Sequence, residues 1–225
     1  MSFGFPRDDE GISQAIHEVD TYRKGNIIFL ASAGNIHNEV ENFPGRHSSV
    51  ISIYATNSNG IFLDTNPRRR GRAAASLGTF GADLPQHLFD DYHADFPNVF
   101  QPGSSVATAI AAAISATMLA YAGVLPFLLN SKNANANSHK QDGSSKGTGS
   151  DDSILSLLSH REGMSALLEA MVQSKHGREW FVDPIAFWRD TSGTNNVVDH
   201  HPRYYWIHSV LYPLKQTILQ NTPKK

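Results

Sequence analysis

Two spacings of apolar residues organise this chain. In the stretch 8–23, DDEGISQAIHEVDTYR, the residues Ile12, Ala15, Ile16, Val19 and Tyr22 recur at helical spacing. Asp8, Asp9 and Glu10 suit the positive end of such a helix, and Gly25 ends it. NIIFLAS (26–32) and SVISIYAT (49–56) are instead uninterrupted apolar runs bounded by Gly and Asn, as expected of strands buried on both faces. AASLGTFGADL (74–84) has room for one more short strand, and 104–121 is a small-residue helix. The order predicts an α/β domain with a mostly parallel sheet flanked by helices. The stretches 61–73 and 85–102 read as loops.

Composition changes the picture at 131–152, SKNANANSHKQDGSSKGTGSDD, which holds no aromatic or branched aliphatic residue and cannot offset its ordering entropy. The expected division is a domain at 1–127, a flexible low-complexity linker at 128–152 and a helical C-terminal appendage at 153–225. Helices are expected in that appendage at 153–160 and 164–175. The net charge of −2 points away from nucleic acid or an anionic membrane as partner. With no cysteine, thiolate metal sites and thiol nucleophiles are excluded. SSVATAIAAAISATMLAY has the length of a membrane span, but Ala contributes little transfer energy, and the expectation is a helix buried in a core. No signal-peptide pattern follows Met1, so a cytoplasmic location is expected.

Candidate chemistry lies in two segments. FLASAGN ends a buried strand in small residues and Asn35, where ligand crevices of α/β sheets form. Gly103-Ser104-Ser105 opens the long helix, where backbone N–H groups lack intrahelical partners. A serine there can be a plain N-cap or a nucleophile, and the Asn a turn residue or a second donor to an oxyanion.

MSFG, IIFLASAGN, PGRHSSVISIYATNSNG, SLGTFGADL and GSSVATAIAAAISATMLAY, in that order, resemble landmarks of the subtilisin-like serine peptidases (S8/S53-type). The likeness is greatest to S8-type domains of large fungal multidomain proteins and covers about 1–127. It implies an α/β subtilisin-like fold with the N-terminal part of the domain missing. It also implies peptide-bond hydrolysis through an acyl-serine, without cofactor or metal. Ser105 matches the nucleophile and Asn35 the oxyanion donor. Ser2, Phe3 and Gly4 match the strand that pairs with extended substrate, and Ala31 to Gly34, with Ala33 and Gly34 foremost, match the wall of the primary specificity pocket. The implied partners are a peptide or protein substrate and further domains of a larger polypeptide.

The resemblance also implies a deficit. The family's Asp and His motifs precede the segment that MSFG resembles, and His17, the first histidine, sits on the amphipathic helix. A serine without a base is a poor nucleophile, so the isolated chain is expected to be inactive, with Asp and His supplied from upstream of Met1. Ser104, Val106 and Ala109 depart from the family's usual Thr, larger residue and Pro. Decay to a non-catalytic pseudopeptidase that binds peptide by strand addition is the alternative. Two rivals rest on other residues. GSSVA mimics a hydrolase nucleophile elbow, with Asp183 or Asp199 and His200, His201 or His208 as partners. Asp199, His200, His201 and His208 also have the types of metal ligands, although the neighbouring Tyr and Trp favour a packing surface. PRRRGR (67–72) reads as a solvated basic loop, and His37 and His47 as loop histidines without chemistry.

Overall fold

The computed structural model describes residues 1–68, 75–84, 103–136 and 154–184, together with Leu211, Pro213 and Gln216. Helix α1 spans Glu10–Tyr22, capped by Asp9, whose carboxylate accepts from the Ile12 N–H at 2.9 Å. It ends where Lys24 and Gly25 take positive φ. Strands β1 (Phe29–Ser32), β2 (Val50–Thr56) and β3 (Ser76–Phe80) fall on the three apolar runs, and β1–β2 and β2–β3 pair in parallel.

Alternation along the strands divides their side chains between two layers. Ala31 and Val50 pack with Ile16 of α1, whereas Leu30, Ile51, Ile53 and Ala55 belong to the main core. Helix α2 (Ser104–Ala136) covers that second face with Ala107, Ala111, Ile114, Met118 and Ala122, which recur at helical spacing. Its alanines let the helix approach the sheet closely. The helix expected to be buried in a core buries one stripe only, because Ala109, Ala112, Ala113, Ala116 and Ala120 are exposed. Ser104–Val124 is long and apolar enough to cross a membrane by length and composition, and one stripe of it is seated on the sheet.

The expected domain division also differs from the structure. Helix α2 runs into the expected linker as far as Ala136, and residues 137–152 lie outside the described residues. The expected helical appendage contributes helices α3 (Ile154–Leu158) and α4 (Arg161–Ala170), then strands β4 (Val172–His176) and β5 (Glu179–Val182). The helix expected over 164–175 therefore stops at Ala170. Gly177, at φ 63, opens the two-residue turn that joins β4 to β5, and Trp180, Phe181 and Val182 favour a strand. Strand β5 pairs in parallel with β3, completing a sheet of order β1-β2-β3-β5-β4. Leu158, Met164, Leu167, Leu168, Met171 and Val182 share one core with α2 and the front strands.

Candidate active site

The two candidate segments meet where β1 ends and α2 begins. The start of α2 is fixed by glycine contacts. Gly103 N–H donates to Gly81 O at 2.8 Å, and Gly81 N–H to Thr56 O at 2.9 Å. A Cβ on Gly103 would lie 2.6 Å from Asn35 Oδ1, so only glycine lets the helix start this close to Asn35.

Ser104, not Ser105, is the structural hub. Its side chain is buried, and its N–H donates to Asn35 Oδ1 at 2.8 Å. The Ser104 hydroxyl accepts from the Gly34 N–H at 3.2 Å and lies 2.6 Å from Ser32 Oγ. It also lies 2.8 Å from Gly34 O and 2.9 Å from Asn35 Oδ1. A hydroxyl has one proton to give, so with Ser32 donating, the Ser104 proton is shared between these last two acceptors. The result fixes the Asn35 amide by its oxygen. Asn35 is exposed, and among the described residues nothing accepts from its Nδ2.

Ser105 occupies the first turn of α2, half-buried, and its hydroxyl donates to Ser2 O at 2.8 Å. Ser2, Phe3 and Gly4 are exposed beside it. They are anchored on both sides: Ser32 N–H donates to Met1 O at 3.0 Å, and Phe5 exchanges hydrogen bonds with Phe43 at 2.7 and 2.9 Å. The structure thus brings Ser105, Asn35 and Ser2–Gly4 together.

Of the segment expected as a pocket wall, Ala31 and Ala33 are fully buried, Ala31 against the α1 layer. Ala33 O accepts from the Asn42 N–H at 2.7 Å. Gly34 is buried at φ 116, with Asn42 packed against it. Ser32 and Ser104 were not singled out as site residues by sequence. The serine before Ser105 carried a signal, since a hydroxyl there replaces a hydroxyl in the family motif.

Among the described residues, no histidine is hydrogen-bonded to Ser105. The hydrolase and metal rivals centre on 199–208, which lies outside the described residues, as do residues 69–73 of the loop expected at 61–73 and the whole loop expected at 85–102. Asp183 lies just past β5. No group of three metal-ligating side chains occurs among the described residues. A separate cavity of about 330 Å³ is lined by Glu41, Arg46, His47, Ser52, Arg161 and Glu169, among others, and shares no residue with the Ser105 site. Burial raises the Glu169 carboxyl above its ordinary value, partly opposed by the charge of Lys175.

No family model matches the chain, and no curated protein does. Solved structures similar to it include two proteases. The protease domain of PatA, solved as a serine-to-alanine mutant, is 14% identical with a TM-score of 0.50, over 95% of this chain and 58% of that one. The prenylagaramide maturation protease PagA is 17% identical with a TM-score of 0.42, over 79% of this chain and 50% of that one. Both neighbours are subtilisin-like proteases. The chain spans less than two thirds of either structure. The architecture is α/β and subtilisin-like.

Proposed function

We propose that this chain carries the nucleophile and oxyanion-binding part of a subtilisin-like serine endopeptidase. One observation carries the reading: the Ser104 N–H and hydroxyl hold Asn35 Oδ1, leaving Nδ2 free to donate, one residue before a serine on a helix N-terminus. Ser105 Oγ attacks the substrate carbonyl carbon and passes its proton to a base. The carbonyl oxygen, now an oxyanion, takes hydrogen bonds from Asn35 Nδ2 and the Ser105 N–H, the Ser104 N–H being held by Asn35 Oδ1. The C–N bond then breaks, the amine leaves with the proton, and water releases the acyl group from Ser105. The base and its orienting carboxylate are supplied from outside this chain, so the isolated chain turns over negligibly. The substrate is a peptide or protein laid along Ser2–Gly4.

A second reading, a non-catalytic peptide-binding module, is favoured by one contact. Ser105 donates to Ser2 O rather than to any imidazole. Ester kinetics with added imidazole as the external base separate the two. The peptidase reading expects p-nitrophenyl ester hydrolysis above the imidazole blank, lost in Ser105→Ala and reduced in Asn35→Ala. Rates equal to the blank in all three proteins would favour the binding module.

A further inference from the structure

The cavity of about 330 Å³ lies between the loop before β2, strand β2 itself and helix α4. Alternation along β2 turns Ser52 away from the core residues Ile51 and Ile53. Arg161, Ser165 and Glu169, four residues apart, bring one face of α4 to the same space. The loop contributes Glu41 and Arg46. Two polar groups of this lining lack partners among the described residues. Ser52 Oγ is buried without a hydrogen bond. Glu41 is 7% exposed, and its carboxylate makes neither a hydrogen bond nor an ion pair. Arg46 does not answer that charge. Its buried guanidinium is met by Asp8 at 2.6 Å and donates to the backbone oxygens of Glu41 and Pro6 at 2.8 and 3.2 Å. A carboxylate held away from water gains more from a cation than one at the surface. Arg161 keeps charge to offer, since its side chain is 39% exposed and stands 3.9 Å from Glu162.

We propose that this cavity binds a small diamino acid of the lysine type, with one ammonium group on Glu41 and Ser52 Oγ, the other on Glu169, and the carboxylate on Arg161. The charges match: two carboxylates and one guanidinium in the lining, two ammonium groups and one carboxylate in the ligand. An ammonium group has three protons to give, and both Glu41 and Ser52 Oγ accept. The volume lies at the lower end of small-molecule sites, which suits a ligand of this size. An inorganic anion would meet two carboxylates. A metal ion would find no group of three metal-ligating side chains among the described residues. The cavity shares no residue with the Ser105 site, so the assignment does not depend on the peptidase reading.

The test is calorimetric titration of the full chain with L-lysine, L-norleucine, cadaverine and calcium chloride. Norleucine keeps the carbon chain of lysine without the second ammonium, and cadaverine lacks the carboxylate. The expected result is one lysine per chain, bound at least about tenfold more tightly than either analogue. Glu41→Gln keeps the side-chain shape and is expected to remove the preference over norleucine. Arg161→Gln, at a partly exposed position, is expected to remove the preference over cadaverine. The analogue series on the wild type decides alone if a variant does not fold. Lysine bound no better than norleucine, preferences untouched by both substitutions, calcium bound in place of lysine, or no heat with any probe overturns the assignment. None of these outcomes bears on the acylation of Ser105.

Discussion

Ser104 shows how one buried hydroxyl can set the geometry of a site. Its partners are Ser32, Gly34 and Asn35, and all of them lie about seventy positions away in the chain, with Ser32 at a separation of 72. Removing the hydroxyl leaves the Gly34 N–H and the Ser32 hydroxyl without their buried partner. Ser104→Ala is expected to cost about 1–3 kcal/mol in urea denaturation. It is also expected to slow imidazole-assisted acyl transfer, because Asn35 loses one of its two anchors. A variant of unchanged stability would mean that water replaces the hydroxyl at no cost. The roles of Ser32 and Ser104 were not legible in the sequence, because each is created by a contact between distant segments. Asn35 and Ser105 were legible through motif resemblance, since each sits in a local pattern of small residues.

The elements that could be read from sequence are those with an apolar pattern of their own. Strands β1 and β2 are covered on both faces, β1 even at the sheet edge, and show as unbroken apolar runs, and Ile12, Ile16 and Val19 mark α1. Strands β4 and β5 were hidden for a physical reason. The VQSKH of β4 is half exposed at the sheet edge, so it lacks a buried run, and it follows a helix with strong apolar spacing. The junction of α3 and α4 depends on Gly163, where a Cβ would fall 1.9 Å from the Leu157 carbonyl oxygen. Backbone on both sides cannot give way as a side chain would. Gly163→Ala is therefore expected to destabilise at the upper end of the range of about 1–3 kcal/mol typical of overpacking. Thermal unfolding reads this directly, and an unshifted midpoint would show that the α3–α4 turn is free to open.

At the scale of the molecule, the described residues 154–182 are part of the core rather than attached to it. Met164, Leu167 and Leu168 belong to the same core cluster as Ile53 and Leu77, and Thr79 donates its hydroxyl proton to Val182 O at 2.9 Å. A chain ending at residue 152 would expose that core and leave the β3 edge unpaired. It is expected to lose cooperative unfolding by circular dichroism, whereas a retained sharp transition would restore the idea of a separable appendage. The Glu169 carboxyl adds a pH dependence to the whole fold. Its folded value is raised by burial above the unfolded value of 4.5, so the folded state holds the proton more tightly. Stability from this group is full below pH 4.5 and is lost as pH rises through the folded value. Glu169→Gln should match the wild type at pH 4 and exceed it slightly at pH 7, the effect being small because Glu169 keeps solvent contact. A Gln variant that is less stable at pH 7 would reverse the sign.

These scales meet in the claim that Ser105 is a nucleophile whose oxyanion is held by Asn35. The most direct test is the site at which an acyl group is trapped. The full chain is incubated with a p-nitrophenyl ester and imidazole, quenched in acid and mapped by peptide mass spectrometry. The account predicts a single acyl group on Ser105, absent in Ser105→Ala. In Asn35→Ala it should form more slowly, by up to the roughly 10²–10³ in kcat found when the oxyanion-hole asparagine of subtilisin is removed. An acyl group on Ser104 or elsewhere, none at all, or a Ser105 rate indifferent to Asn35→Ala would contradict it.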